Sequence, residues 1–251
     1  MKPNQSNAMN LIIDIGNTRV KAAVFEQDSL EELLVCTLDE LFEKIDFFLK
    51  KYPIEDAILS SVQDLSEEMQ RRLEQKVPFT VLDAQTKVPF LNAYATKDTL
   101  GVDRIALVAN ASKKYPNQNV LIIDAGTCIT YDFINANQEY FGGAISPGIQ
   151  MRYKSLHKFT SKLPLLEKKE TNVMIGSSTQ ESIHSGVLMG VLGEITYVME
   201  AYEQKNRHLT VVLTGGDTYF LANQLKSSIF ANPNFVLEGL NTILNHNKEE
   251  C

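Results

Sequence analysis

The sequence predicts an α/β fold in which one strand-rich domain occurs twice, and three observations support this prediction. Apolar runs of strand length alternate along the chain with amphipathic segments of helical period. The strand at 11–14 and the strand at 120–126 both lead into Asp-x-Gly, and one constant offset aligns them. The same order of turn and strand follows each of them. Such internal similarity is typical of a duplicated domain.

The first half contains the elements of one copy. Its predicted elements are strands at 11–14, 20–25 and 30–38, a helix at 39–52, a strand at 57–62 and a charged helix near 66–76. Leu41, Ile45 and Phe48 share one face of the first of these helices, as burial against a sheet requires. A further helix opens after Gly101, because apolar residues recur at helical spacing from Val102 onward.

The second half repeats the opening and then continues with a long helix. Its predicted elements are strands at 120–126, 128–134 and 139–145, a helix at 179–205, a strand at 210–216 and helices near 218–229 and 236–246. The segment 211–217 takes the place in its half that 57–63 takes in the first. We therefore expect two domains, 9–115 and 116–251, with residues 1–8 as a disordered extension.

Composition and charge limit what such a chain can bind. The 251 residues include 24 Lys and Arg against 31 Asp and Glu, which gives a net charge of −7. An acidic protein has no global field that attracts nucleic acid or an anionic membrane, so we expect neither as a partner. The three cysteines are an odd number, and 44% hydrophobic residues suffice for a core without disulfides. We therefore expect a reducing, cytoplasmic compartment.

Two turns carry the first functional signal, one at 14–18 and one at 124–127. Glycine in such a turn lets backbone N–H groups approach an anion, and the Asn and Thr side chains add donors for phosphate oxygens. A carboxylate beside a polyphosphate repels it unless cations lie between them. The pair of turns therefore indicates two phosphate loops that need metal ions. For each turn alone, an Asp that caps a tight turn is the alternative.

Two other segments indicate ligand contacts, and each has a structural alternative. The adjacent glycines in 214–217 leave room for a flat ligand such as a purine. The structural alternative is an ordinary turn from strand to helix, in which Asp217 or Thr218 is the N-cap. Asp103 lies in a first helical turn, where a carboxylate complements the macrodipole. With Arg104 beside it, the same carboxylate can orient a hydroxyl group and accept its proton.

Glycines recur in the long helix of the second half. Gly186, Gly190 and Gly193 lie near one face, although glycine inside a helix costs about 1 kcal/mol relative to alanine. Their presence predicts close approach of another backbone, from the other domain or from a second subunit.

Taken together, these motifs resemble the type III pantothenate kinases, which belong to the actin, sugar-kinase and Hsp70-like ATPase superfamily. LGVDR, DAGTCIT, GGAISPGIQM and LHKFTSKLP occur in the family's order, and the resemblance extends from about residue 9 to the 240s. It implies duplicated ribonuclease H-like domains with a nucleotide cleft between them. It also implies ATP-dependent phosphorylation of the pantothenate 4′-hydroxyl, the first step of coenzyme A biosynthesis, with Mg²⁺ and a monovalent cation (K⁺ or NH₄⁺). The implied assembly is a homodimer whose pantothenate pocket lies near the interface.

The resemblance also implies roles for residues that match the family's motifs. Asp103 is then the general base, and Asp124 is the ligand of the monovalent cation. The residues implied to contact pantothenate are Tyr94, Gly101, Val102, Asp103, Arg104 and Thr179. The residues implied to hold ATP and its metal are Asp14, Ile15, Gly16, Asn17, Thr18, Arg19, Val20, Lys21 and Thr127.

The sequence departs from the family pattern twice and leaves two alternatives open. Cys128 stands where the family often has a small residue such as alanine, and SSTQE at 177–181 replaces the more familiar Asn-Thr-x-Glu. One alternative is a non-catalytic relative that binds nucleotide or a partner. Loss of an acidic site residue would favour it, yet Asp14, Asp103 and Asp124 are all present. The other alternative is a kinase of the same superfamily that acts on a sugar or acetate. The helix that begins with GVDR argues against this alternative.

Overall fold

The computed structural model describes residues 8–63, 65–225 and 228–249, and these residues form two compact units. The first unit runs to Pro116 and resumes at Phe235, and the second is Asn117–Asn234. Residues 1–7 of the predicted disordered extension lie outside the described residues. Within those described ranges, no helix has both the length and the apolar composition needed to cross a bilayer.

Up to Pro116 the predicted elements are present with small shifts at their ends. In chain order they are β1 (Met9–Ile15), β2 (Val20–Glu26), β3 (Ser29–Cys36), α1 (Leu41–Lys51), β4 (Ile54–Ser61), α2 (Glu67–Glu74), β5 (Phe79–Val81), β6 (Leu91–Asn92), a 3₁₀ turn (Lys97–Thr99) and α3 (Val102–Lys114). β4 begins at Ile54 rather than at 57, because Ile54 is in register with Met9 on β1. β5 and β6 were not predicted, since two or three residues are too few to show a pattern.

The elements after Pro116 agree with the prediction except near the end and for one helix, Ile149–Lys158, which was not predicted. They are β7 (Asn119–Ala125), β8 (Cys128–Ile134), β9 (Glu139–Pro147), α4 (Ile149–Lys158), α5 (Thr179–Lys205), β10 (Leu209–Thr214), α6 (Thr218–Ala222), β11 (Phe230–Ala231) and α7 (Phe235–Glu249). The helix predicted near 218–229 ends at Ala222, and the prediction is wrong for the described residues 223–225 and 228–229. The chain leaves the helix there and later pairs with β10, where Phe230 is in register with Val212.

Each unit is built on a sheet with the same strand arrangement. In the first unit the order is β3-β2-β1-β4-β5, with β1 antiparallel to β2 and parallel to β4. In the second unit β9-β8-β7-β10-β11 repeats this order, with β7 antiparallel to β8 and parallel to β10. The predicted duplication is confirmed by this topology. The turns that follow β1 and β7 therefore occupy equivalent positions.

The two equivalent aspartates of the repeat, Asp14 and Asp124, point away from the apolar cores. The two neighbours of Asp14 in β1 are isoleucines that belong to the core of the first unit. The neighbours of Asp124 in β7, Ile123 and Ala125, belong to the core of the second unit. Side chains alternate between the faces of a strand. Asp14 and Asp124 therefore lie on the sheet faces opposite these cores.

The last helix, α7, packs in the first unit, which corrects the predicted domain assignment. The sequence placed all of 116–251 in one domain, whereas the chain from Phe235 onward belongs to the first unit. A Cβ on Gly239 would overlap the carbonyl oxygen of Ala106 on α3. Asn110 Nδ2 donates a hydrogen bond to Phe235 O at 3.0 Å. Apolar periodicity revealed the helix, but it could not identify the helix against which α7 packs.

Candidate functional site

In the first unit, the end of β1 places a carboxylate between two polar partners. Asp14 is in Cα register with Lys21 on β2 and with Ser60 on β4. Ser60 Oγ donates a hydrogen bond to Asp14 Oδ1 at 2.7 Å. Burial of the carboxyl group raises the pKa of Asp14, and Ser60 and Lys21 only partly offset that rise. The charge of Asp103 raises it further, so Asp103 lies within electrostatic reach of Asp14.

The turn after β1 combines exposed polar side chains with two core residues. Gly16 N donates to Arg19 O at 3.1 Å, and Gln63 Nε2 donates to Gly16 O at 2.9 Å. Three consecutive side chains at the tip are exposed, those of Asn17, Thr18 and Arg19. Ile15 and Val20 are buried in the core. These two residues can therefore offer only backbone groups to a ligand.

The start of α3 brings together three residues selected from the sequence. Asp103 Oδ1 accepts a hydrogen bond from Arg104 N at 2.8 Å. A Cβ on Gly101 would lie 2.5 Å from the same oxygen, so a larger residue there would displace the carboxylate from this position. Arg104 is buried, and its guanidinium carbon lies 5.6 Å from the centre of the Tyr94 ring. Half-buried Val102 is the first residue of the helix.

In the second unit, the end of β7 repeats this arrangement with different flanking residues. Asp124 is in Cα register with Thr130 on β8 and with Thr214 on β10. A threonine therefore stands where the first unit has Lys21. Thr214 is only 1% exposed, and its Oγ1 has no hydrogen-bond partner among the described residues. A buried hydroxyl without a partner costs about 1–3 kcal/mol, so this oxygen is suited to a ligand.

Two glycines allow neighbouring turns to pack directly against the turn after β7. Gly215 has φ 94°, and a Cβ there would overlap both Asp124 Oδ1 and Ala125 O. Gly148, at the end of the GGAISPG motif, donates its N–H to Thr127 O at 3.2 Å. A Cβ on Gly148 would overlap that same carbonyl oxygen. The side chain of Thr127 is exposed at the tip of the turn.

The turn after β10 is held by its own side chains and has open space on one side. Asp217 occupies the N-cap position of α6 without a capping hydrogen bond, and its carboxylate pairs with Lys168. Thr218 Oγ1 donates to Gly215 O at 2.6 Å. No atom lies within 4 Å of the position that a Cβ would take on Gly216. The backbone at that glycine is therefore accessible to a flat ligand.

Thr179 lines an open groove of about 690 Å³ in the second unit. It is the first residue of α5, where Ser178 Oγ caps the helix by accepting the Glu181 N–H at 3.3 Å. Arg152 is the one charged residue that lines the groove in the described part of the chain. The apolar walls come from α4, α5 and the loop between them, namely Leu156, Leu163, Ile183 and Val187.

The glycine face of α5 has no close neighbour in the described chain. No atom lies within 4 Å of the positions that a Cβ would take on Gly186 and Gly193. A Cβ on Gly190 would have one atom within 4 Å, Arg152 Nη1 at 3.7 Å. The predicted close backbone contact is therefore not made within the described residues, and a second subunit is the remaining alternative.

Comparison with known proteins identifies the family. A model of the type III pantothenate kinase family matches residues 10–201. This chain belongs to the type III pantothenate kinase family. A type III pantothenate kinase of Christiangramia forsetii is 50% identical over 243 residues, which cover 96% of this chain and 100% of that protein. The expectation drawn from the sequence motifs is confirmed at the level of the family.

Solved structures with a similar fold show the fold class of this type III pantothenate kinase family member. A structure from Campylobacter jejuni described as a Baf family transcriptional activator matches with a TM-score of 0.62 at 22% identity, covering 95% of this chain and 99% of that one. A glucokinase from an Antarctic psychrotroph matches with a TM-score of 0.51 at 11% identity, covering 95% and 99%. At these identities the likeness concerns the fold alone. It confirms the actin-like ATPase and sugar-kinase fold class.

Proposed function

We propose that this chain transfers the γ-phosphoryl group of ATP to the 4′-hydroxyl of pantothenate, the first step of coenzyme A biosynthesis. Family membership and 50% identity to a type III pantothenate kinase support the proposal. The observation that carries it is in the first unit, where Asp103, next to Arg104 in the first turn of α3, lies within electrostatic reach of Asp14. Phosphorylation of an alcohol needs one group for the hydroxyl proton and others for the phosphate charge.

Asp103 is the base in this proposal. As the 4′-oxygen forms its bond to the γ-phosphorus and the bond to ADP breaks, the hydroxyl proton passes to the Asp103 carboxylate. Because phosphoryl transfer has a loose transition state, the proton leaves late and a weakly basic carboxylate suffices. Arg104 is buried beside Tyr94, so its guanidinium is held in one place to orient the substrate. Tyr94 would contact pantothenate from the same side.

Asp14 has the properties expected of a ligand for a divalent cation. Burial raises its pKa, which means that the fold compensates its negative charge only in part. The carboxylate, together with phosphate oxygens of ATP, would hold Mg²⁺. When bound, the cation neutralises phosphate charge during transfer. Lys21 and the backbone N–H groups of the turn after β1 would bind the phosphates, as Thr127 would from the turn after β7.

Asp124 has the surroundings expected of a site for K⁺ or NH₄⁺. Lys21 supplies a positive charge in register with Asp14, but the equivalent residue beside Asp124 is Thr130. The hydroxyl oxygen of Thr214 on the other side is buried and has no hydrogen-bond partner among the described residues. Neutral oxygens with one carboxylate suit a cation of single charge.

Replacing Thr214 with valine tests the monovalent cation site. We expect the K⁺ concentration for half-maximal activity to rise while the Tm is unchanged or higher, because an unpaired buried hydroxyl costs about 1–3 kcal/mol. Asp124→Asn should abolish the response to K⁺. Activity is measured during a K⁺ titration at constant Mg²⁺, with Na⁺ holding the ionic strength constant.

Ser60→Ala is the matched control in the first unit. It removes the hydroxyl that donates to Asp14 at 2.7 Å, so it should lower the Tm. The K⁺ concentration required for activity should stay at the wild-type value. Equal wild-type rates in buffers with only Na⁺ and with K⁺ would contradict the site at Asp124.

A homodimer is the assembly we propose, with the glycine face of α5 at its interface. Large apolar side chains are exposed on α5 and on the loop before it: Met174, Ile175, Met189 and Tyr197. Ser185 Oγ lies between two of them, since it donates to Met174 O at 2.8 Å and lies 3.4 Å from Met189 Sδ. Exposed apolar patches of this kind are typical of interaction sites.

Replacing Gly193 with leucine tests this interface. The described chain has open space there, and leucine favours a helix by almost 1 kcal/mol over glycine, so the single chain should not lose stability. In a dimer the added side chain should overpack the contact at a cost of about 1–3 kcal/mol. Light scattering at micromolar concentration is expected to show a dimer for wild type and a folded monomer for the variant. A wild-type monomer would overturn the proposed assembly.

The cytoplasm is the compartment that we propose. The thiols of Cys36 and Cys128 are free, as is typical of proteins in a reducing environment. Burial raises the pKa of Cys36, which keeps this thiol protonated.

A turnover assay with ATP separates pantothenate kinase activity from the two alternatives. Pantothenate is offered beside a panel of sugars and acetate, and release of ADP is followed by a coupled reaction. We expect turnover with pantothenate alone. Turnover with a sugar would favour another kinase of the same fold, and ATP binding without turnover on any acceptor would favour a non-catalytic relative.

A further inference from the structure

Asp132 on β8 is a buried carboxylate on the same sheet face as Asp124. It is in Cα register with Ile122, two positions before Asp124 on β7, and residues two apart in a strand share a face. Asp132 is 0% exposed. Each of its carboxylate oxygens accepts a hydrogen bond from a hydroxyl group: Tyr140 donates to Oδ1 at 2.7 Å, and Thr130 Oγ1 donates to Oδ2 at 3.1 Å. The second of these hydrogen bonds links Asp132 to the surroundings of Asp124.

The hydrogen bond to Asp132 determines what the Thr130 hydroxyl can offer to Asp124. A hydroxyl group has one proton and two lone pairs, and a carboxylate only accepts hydrogen bonds. The proton of Thr130 is therefore directed at Asp132. Thr130 lies opposite Asp124 in the β7–β8 pair, where the Cβ atoms of opposite residues are about 4.5–5.5 Å apart. Only lone pairs of the Thr130 oxygen remain for the Asp124 side, and they attract a cation and repel a carboxylate.

Thr214, on the other side of Asp124, does not supply a proton either. Its Oγ1 is buried without a hydrogen-bond partner in the part of the chain that the structure describes. Neither hydroxyl in register with Asp124 therefore donates to that carboxylate. In the first unit, by contrast, the hydroxyl of Ser60 donates to Asp14 at 2.7 Å. The oxygens beside Asp124 are thus available to a bound cation.

The repeat shows that this arrangement is particular to the second unit. In β2 the residue opposite Asp14 is Lys21, and Ala23 lies two positions further on the same face. The equivalent positions in β8 are Thr130 and Asp132. Lysine and alanine together carry one positive charge, whereas threonine and aspartate together carry one negative charge. A diffusible cation at the second aspartate would supply the charge that the lysine supplies at the first.

We propose that Asp132 is a positioning residue for the monovalent cation at Asp124. By holding the hydroxyl proton of Thr130, it leaves the Thr130 oxygen to contact that cation. The inference rests on the proposed function, because it concerns the cation site of that reaction. Residues that hydrogen-bond to a ligand of a metal, rather than to the metal, orient the ligand and raise the affinity of the site.

The experiment measures how K⁺ affects the binding of a non-hydrolysable ATP analogue to the full chain. Calorimetric titrations are run at a series of K⁺ concentrations, with Mg²⁺ constant and Na⁺ holding the ionic strength constant, so no turnover is needed. The variants are Asp132→Asn, Thr130→Val, the two together, and Thr130→Ser, which keeps the hydroxyl. Tyr140→Phe is the matched control, because it removes the hydrogen bond to Oδ1 and leaves the one from Thr130 to Oδ2. The Tm of each variant is also measured.

Asp132→Asn should raise the K⁺ concentration for half-maximal nucleotide affinity by roughly 10- to 100-fold, the range for loss of a residue that orients a metal ligand. The amide oxygen can still accept from Tyr140, which places the NH₂ group at Thr130. Because that group donates, the hydroxyl proton of Thr130 is no longer held away from Asp124. Thr130→Val should have an effect of similar size. The double variant should show no further rise, because Asp132 acts through Thr130.

The conservative variant and the control should separate positioning from stability. Thr130→Ser should keep the K⁺ dependence of wild type, since its hydroxyl can make the same hydrogen bond. Tyr140→Phe should lower the Tm, because it removes a buried hydrogen bond, and should leave the K⁺ dependence unchanged.

Two results would overturn the inference. One is a lower Tm for Asp132→Asn or Thr130→Val with an unchanged K⁺ dependence, because the hydrogen bonds would then only support the fold. The other is an effect of Asp132→Asn that is as large in the Thr130→Val background as alone, because Asp132 would then act through its charge. If Asp132→Asn does not fold, the K⁺ dependence of Thr130→Val decides by itself.

The outcomes also separate this inference from the proposed function. K⁺-linked nucleotide binding that depends on Asp132 and Thr130, without turnover of pantothenate, upholds the inference and refutes the proposed function. Turnover of pantothenate with the same K⁺ dependence in every variant refutes the inference alone. A wild-type nucleotide affinity that is equal in Na⁺ and in K⁺ refutes the cation site, and the inference with it.

Discussion

Replacing Asp103 with asparagine is expected to lower kcat for pantothenate phosphorylation by about 10²–10⁴-fold, the contribution typical of a positioned base. The amide has the size of the carboxylate and can still accept the Arg104 N–H that Asp103 Oδ1 accepts at 2.8 Å. It cannot take up the hydroxyl proton. ATP affinity should change little, because other residues bind the phosphates. Steady-state kinetics and calorimetric titration with ATP measure the two effects separately.

The control for this variant is Asp98→Asn, which changes an exposed aspartate in the 3₁₀ turn before α3. It should leave both kcat and ATP affinity at the wild-type values. If Asp103→Asn keeps kcat within about threefold of wild type, far below the effect of a base, Asp103 only stabilises the start of the helix.

Replacing Asp14 with asparagine should lower kcat by about 10²–10³-fold and at the same time raise the Tm. Activity falls because a neutral amide holds a divalent cation and its phosphates less well. Stability rises because burial, with Asp103 nearby, raises the folded pKa of Asp14 above its unfolded value. Ionised Asp14 therefore destabilises the fold at neutral pH, and the amide removes that cost.

The raised pKa of Asp14 also predicts how the Tm difference between Asp14→Asn and wild type changes with pH. A carboxyl group with a raised folded pKa contributes stability below its unfolded pKa, near 3.9, and that contribution is lost as pH rises through the folded pKa. The Tm difference between Asp14→Asn and wild type should therefore shrink toward pH 4 and be largest near neutral pH. Asp56→Asn is the control, since Asp56 pairs with Lys248 at 2.7 Å and its loss should not raise the Tm. A lower Tm for Asp14→Asn at neutral pH would refute the explanation.

Most of the two sheets could be predicted because β1 and β7 are continuous apolar runs with the same ending. Period-2 and period-3.6 patterns identify such elements locally. The pattern does not show what an element packs against, which is why α7 was placed in the wrong unit. It also does not reveal pairings as short as Phe230–Ala231, where neighbouring strands rather than local sequence fix the conformation.

The residues of the candidate site could be predicted only where their type is unusual for their position in the sequence. Asp14, Asp103 and Asp124 are acidic residues that each lie two positions from a glycine, and they were predicted directly from the sequence. Ser60 was not predicted, and Thr214 was included only as the first residue of the segment 214–217, although aligning 57–63 with 211–217 pairs the two hydroxyl residues. Hydroxyl residues are common at strand ends, and their significance depends on register with the carboxylate of the neighbouring strand.

Arg152 was not selected because its partners are distant in sequence. Its anchors are a serine and a proline carbonyl on β9 and Glu194 on α5. A basic residue among lysines on α4 has no local feature that separates it from a solvated helix face. Long-range hydrogen bonds distinguish it, and these follow only from the folded chain.

Identification of the product by phosphorus–proton correlation NMR tests the central claim most directly. Wild-type protein is incubated with ATP, Mg²⁺, K⁺ and pantothenate, and the new phosphorus signal is correlated with the protons of the molecule that carries it. The proposed function predicts a phosphate ester whose phosphorus couples to the methylene protons at the 4′ position of pantothenate. A phosphorus signal from inorganic phosphate alone, or no new signal while ATP is bound, would contradict it.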